Sequence, residues 1–178
     1  MPLVANDDHQ NKAQGIKVGD VVAPLSFAST PDDFSFQPNG KYQMLSIYKA
    51  SISSSRNGEL NARMIQRGYC PLTIIDIKNR AWYVPKAAVE NFVQSSVDDE
   101  KHNPLCHTSI DYEGIAKSYW NLPSNSTTMI VDGQGKVIFL ALGILNDQEE
   151  AELVTLLRAG AEPFQQWPGR PDFEPKLE

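Results

Sequence analysis

Two short apolar runs constrain this chain more than any other feature: "YQMLSIYKA" (residues 42–50) and "LTIIDI" (72–77), with one helix-length segment between them. Each is too short for a buried helix and too uniformly apolar for a strand with one wet face. Both therefore read as strands buried on two faces. Between them Leu60, Met64 and Ile65 fall near one helical face, and Gly68 is placed to stop the helix. A strand, a helix and a strand at this spacing give two parallel strands joined by a right-handed crossover.

The flanking sequence extends that unit. "GIKVGDVVAPLSF" and "DDFSF" read as short extended segments around Pro24 and Pro31, and "QPNGK" as a turn. Pro85 opens a second helix, whose Ala88, Val89, Phe92, Val93 and Val97 recur at three- and four-residue spacing. Asp111 is the expected N-cap of "YEGIAKSYW", a short helix presenting Ile115 and Tyr119. "TTMIVDGQGKVIFLAL" is a hairpin turning at Asp132–Gly135, with the Asp132 carboxylate expected to bond its own backbone. The last helix starts near Asp147, buries Leu153, Val154, Leu156 and Leu157, and stops at Gly160.

The order β-α-β-α, short helix, β-β-α predicts an α/β domain of the thioredoxin-like fold, a central mixed sheet with flanking helices plus extra N-terminal strands. The expected sheet order is second, first, third, fourth, over the strands at Tyr42, Leu72, Thr127 and Lys136. The expected organisation is a flexible segment at 1–15, one domain at 16–160 and an irregular tail at 161–178.

Composition narrows the function. The 178 residues carry 22 acidic and 16 basic side chains, a net charge of −6. That gives no support to a nucleic-acid surface, which needs a basic face. No apolar run approaches the roughly 18 residues that span a bilayer. "PLVA" ahead of "NDDHQ" resembles the end of a removed signal peptide, and the closing "LE" a cloning scar.

The first strand runs into its helix through "ASISSSRNGEL", a polar elbow of the kind where α/β proteins place chemistry. Ser53 is the natural N-cap of the helix, a role worth about 1 kcal/mol. Two readings follow. Either the serines only cap and Arg56 is solvated, or the helix amides, Ser54, Ser55 and Arg56 converge on a small anion.

The landmarks "VGDVVAPLSF", "NGKYQMLSIYKAS", "DYEGIAKSYWNL" and "TTMIVDGQGKV", with the closing amphipathic helix, resemble peroxiredoxin-like and thioredoxin-like proteins in order. The stretch from "FVQSSVDDEKHNPLCHTSIDYEG" to "AELVTLL" is most similar to the YtfJ family of periplasmic thioredoxin-fold proteins, with W-x-L, V-D-x-x-G-x-V and then G-x-L before the helix. The resemblance spans about Val18 to Ala159 and implies a periplasmic location without a settled biochemical role. Redox members of the fold place Trp-Cys-x-x-Cys at the elbow; here Ile52, Ser53 and Arg56 fall on the tryptophan and the two cysteines. They also place a cis-proline just before the hairpin strand, where this chain has Ser126 followed by Thr127. Without a thiolate at the elbow, attack on a disulfide or peroxide has no nucleophile there.

No other constellation points to an enzyme. His102 and His107 flank "NPLC" in an expected loop, no spacing suits a metal, and no G-x-S-x-G elbow is present. No cofactor is implied. Trp82 and Tyr83 follow the second strand at the elbow end of the sheet, and packing over a helix is their expected role. Cys70 and Cys106 both fall at the end remote from Ser53. Either they form a structural disulfide, worth roughly 3–4 kcal/mol on the chain-entropy model, or they pack as separate buried thiols. Three functions compete: a non-redox periplasmic module binding a protein or small anion, a thiol enzyme using Cys70 or Cys106, and a DNA-binding regulator, which the acidic charge disfavours.

Overall fold

The computed structural model describes residues 15–29, 33–51, 54–100 and 107–161, with side chains throughout except at 54, 55, 95–100 and 107. The expected flexible N-terminal segment and C-terminal tail lie outside this range, apart from Gly15 and Ala161.

Two strands, β1 (Leu25–Phe27) and β2 (Phe34–Phe36), pair antiparallel as a small hairpin. The main sheet follows: β3 (Gln43–Lys49), helix α1 (Ser54–Gln66), β4 (Leu72–Asp76), α2 (Lys86–Glu100), β5 (His107–Asp111), α3 (Ile115–Tyr119), β6 (Ser126–Val131), β7 (Val137–Leu142) and α4 (Asp147–Gly160). Its order is β5-β4-β3-β6-β7, with β3, β4 and β5 parallel and β6 and β7 antiparallel. The four expected strands stand in the expected order. An additional strand, β5, extends the sheet, so His107 opens a strand rather than lying in a loop.

Pleating divides β3 between two cores. Leu45 and Ile47 face one side, where the β1–β2 hairpin packs with Trp120. Phe27 and Phe34 stack at 4.8 Å, Phe36 meets Trp120 edge-on at 5.8 Å, and the Trp120 indole donates to the Ala23 carbonyl at 2.8 Å. A buried tryptophan needs such a partner for its N–H. Met44 faces the other side with Leu60 and Met64 of α1 and Leu153, Val154 and Leu157 of α4, while Tyr48 meets Val89 and Val93 of α2.

The helix ends follow local chemistry. Gly68 (φ 94°) closes α1: its N–H reaches Ile65 and that of Tyr69 reaches Met64, which satisfies two terminal carbonyls. Asn146 and Glu149 cap α4 reciprocally, each side chain taking the other's backbone N–H. Two expected faces are narrower than their spacing suggested. Among the described side chains of α2 only Val89 and Val93 of the expected face are buried, Ala88 and Phe92 are exposed, and Val97 lies outside the described side chains. On α3 the expected Ile115 packs partly buried beside Ala116 and the following Trp120, while Tyr119 is exposed.

Candidate functional site

The elbow lies at the carboxyl ends of β3, β4 and β5. Ser53 falls outside the described residues, and the backbones of Ser54 and Ser55 open α1. Arg56 in that first turn is exposed. The approach is fixed from both sides: Lys49 N–H donates to Asn125 at 2.8 Å and Ala50 N–H to Asp76 at 3.1 Å.

Ser126 faces this helix. Its hydroxyl lies 3.1 Å from Oδ1 of the buried Asn57, with the Gly143 carbonyl a second acceptor at 3.4 Å. Thr127 turns to the opposite face of β6, as pleating requires. It is buried, and its hydroxyl makes a long bond to the Ser124 carbonyl at 3.4 Å. Ser126 and α1 are therefore brought together, and Thr127 is not part of that face.

Below Asn57 the α1–sheet interface stays polar. Thr73, Ser46 and Thr128 are register neighbours across three strands, and Asn61 donates to the Thr73 hydroxyl at 3.0 Å. Ser46 Oγ, Thr128 Oγ1 and Asn61 Oδ1 are buried without a hydrogen-bond partner. Tyr48, in register with Ser126, is buried, and burial pushes its phenol well above the ordinary range.

Buried acids hold the surrounding loops. Asp76, ending β4, accepts from the backbone N–H of Asn79 at 3.0 Å and from its side-chain amide at 2.6 Å. Asp111, beside it at the end of β5, accepts from Ile115 and Ala116 N–H at 2.9 and 2.8 Å. It is not the N-cap expected of it, a place taken by Gly114; from the end of a strand its carboxylate instead satisfies the first two amides of a helix that begins at Ile115. Trp82 departs further from expectation: it packs over no helix and is 95% exposed. Asn57 and Asp76 were not singled out from the sequence. The Asp-x-x-Asn of "DIKN" was a legible turn signal, whereas nothing local marks Asn57.

At the far end of the sheet Cys70 is disulfide-bonded. Cys106, its expected partner, lies outside the described residues; Leu72, two residues after Cys70, is the register partner of His107. A groove of about 380 Å³ lined by Ile16, Val21, Tyr119 and Trp120 involves none of the elbow.

The sequence from 50 to 160 matches the YtfJ_HI0045 family, described as a bacterial protein of unknown function. The chain belongs to that family. No curated protein matches the sequence. Among solved structures, this family member is similar to the exposed lipoprotein thioredoxin Etrx1 of Streptococcus pneumoniae strain TIGR4 (17% identity, 76% of this chain and 99% of that one, TM-score 0.54). It is also similar to StoA of Bacillus subtilis (11%, 76% and 99%, 0.55). A third is the thioredoxin domain of a thiol-disulfide oxidoreductase from Bacteroides vulgatus (12%, 79% and 96%, 0.52). These likenesses establish the thioredoxin-like fold. Among the described residues no helix is long and apolar enough to cross a membrane.

Proposed function

We propose that this YtfJ family member is a non-redox binding module of the periplasm, and that its elbow at Ser53–Arg56 takes a small anion on the N-terminus of α1. The observation that carries the reading is the Ser126–Asn57 contact: a hydroxyl and an amide meet on the face where redox relatives of the fold oppose a thiol and a proline. The first turn of α1 offers backbone N–H groups and the exposed Arg56, and the sequence adds the hydroxyls of Ser53, Ser54 and Ser55. A helix terminus alone contributes only about 0.3–1 kcal/mol when exposed, so binding is weak without the guanidinium.

A bonded Cys70 supports an oxidising compartment. We take Cys106 as its partner, which makes both cysteines structural and removes them from chemistry at the elbow. The thiol-enzyme alternative has the fold of its neighbours in its favour but no cysteine in residues 50–57.

The test is an NMR titration with inorganic phosphate and with sulfate. Shifts at the amides of Ser54–Asn57 are expected, and Arg56→Ala should weaken them at least threefold. An unresponsive elbow ends the anion reading. Turnover in an insulin-reduction assay would instead establish a thiol enzyme.

A further inference from the structure

We propose that the loop Lys78–Lys86 is a docking tip for an anionic lipid surface, with Trp82 as the side chain that enters it. The loop "KNRAWYVPK" carries Lys78, Arg80 and Lys86 and no acidic residue, in a protein whose net charge is −6. These three basic residues flank, along the chain, the most exposed aromatic ring among the described residues, Trp82 at 95%, with the Lys86 ammonium 5.0 Å over the Tyr112 ring.

The tip is exposed and held in place. Val84 N–H donates to the Ala81 carbonyl at 3.0 Å, so Trp82 and Tyr83 are the two corner residues of a tight turn. Their rings meet edge to face at 5.7 Å. Arg80 ties the turn on both flanks, its Nε donating to Val84 at 3.1 Å and Nη1 to Ile77 at 2.8 Å. Ala81 N–H donates to Ala50 at 2.9 Å, fixing the loop to the strand end before the elbow.

Each feature suits a headgroup layer. A ring 95% exposed at the corner of a turn, with only Tyr83 edge-on beside it among the described rings, offers a small ligand little enclosure, whereas an extended surface can receive it. The backbone groups of Ala81 and Val84 are already paired within the protein, so entering a medium poor in hydrogen-bond partners leaves them satisfied. Tryptophan and tyrosine settle at the polar–apolar boundary, and neighbouring lysines and arginines are drawn to anionic headgroups. Exposed Glu113 and half-buried Glu90 on adjoining elements oppose the attraction, so binding is weak and salt-sensitive.

The test is co-sedimentation of the full chain with vesicles of phosphatidylglycerol and phosphatidylethanolamine, against phosphatidylcholine vesicles, at low and high salt. Binding to the anionic vesicles at low salt is expected, with a blue shift of tryptophan emission that is lost in Trp82→Ala, in which Trp120, buried in the core, and Trp167 remain. Trp82→Ala should lower partitioning about fivefold or more and leave the thermal midpoint unchanged, and Lys78→Glu should act in the same direction. No binding of the parent protein to anionic vesicles, or equal binding of Trp82→Ala, overturns the proposal. So does Trp82-dependent binding to polyglutamate without vesicle binding, which would give the tip to an acidic protein partner.

Discussion

Ser126 and Asn57, 69 residues apart in the chain, meet at 3.1 Å across the junction of β6 and the first turn of α1. The serine hydroxyl has one proton, so it serves either Asn57 or the Gly143 carbonyl, 3.4 Å away. This contact joins the elbow helix to the central sheet at the end where the candidate site lies.

Asn57→Ala therefore removes a buried amide and its tie to β6. The expected loss is about 1–2 kcal/mol in urea unfolding, with faster amide exchange through Ser54–Leu60. An unchanged exchange pattern in that turn would mean the contact does not hold the helix.

Thr128 should behave in the opposite way. Its hydroxyl and that of its register neighbour Ser46 are buried without partners. Thr128→Val keeps the shape and removes a desolvated polar group, so a gain of about 0.5–1 kcal/mol is expected by thermal melting. A loss exceeding 1 kcal/mol would show that the hydroxyl has a partner in solution.

Gly160 decides between helix propensity and packing. Alanine at a helical glycine gains up to about 1 kcal/mol. At Gly160, however, a Cβ would lie 2.4–2.5 Å from three ring atoms of Tyr42. That ring is anchored, because Tyr42 N–H donates to the Gly160 carbonyl at 3.1 Å and the side chain packs on the α4 cluster. Overpacking costs about 1–3 kcal/mol, so Gly160→Ala should destabilise. A raised melting temperature would contradict this.

Asp132 carries a pH dependence. Its carboxylate accepts N–H groups from Lys136 at 3.0 Å and Gln134 at 2.9 Å, and these hold its pKa below the ordinary carboxylate range. A group with a depressed folded pKa contributes stability above its unfolded value, about 3.9, and loses it as pH falls through the folded value. The parent should therefore lose hairpin stability below about pH 4. Asp132→Asn, whose amide oxygen still accepts, should show a shallower slope there. Identical slopes for the two proteins between pH 5 and 2 would exclude this carboxylate as the source.

The parts of the fold that were legible locally share one property: the signal and its cause lie within a few residues. The runs at 42–50 and 72–77 announced parallel buried strands, Asp132-Gly-Gln-Gly announced its turn, and the capped amphipathic pattern announced α4. Strand β5 escaped because "HTSID" alternates no apolar residues; it is a strand through its ladder to β4. Ala88 and Phe92 had helical spacing, but among the described side chains of α2 it is Val89 and Val93 that enter the core.

The sequence by itself determined the thioredoxin-like order and the absence of a cysteine at the elbow, because strand and helix periods and residue identity are local properties. Only the tertiary structure decided that Asn57 meets Ser126, that Ser46 and Thr128 share a buried polar row, and that Trp82 stands outside the core. Those outcomes depend on register between distant strands and on which carbonyls Arg80 and Ala81 find across the loop, and no neighbouring residue encodes either.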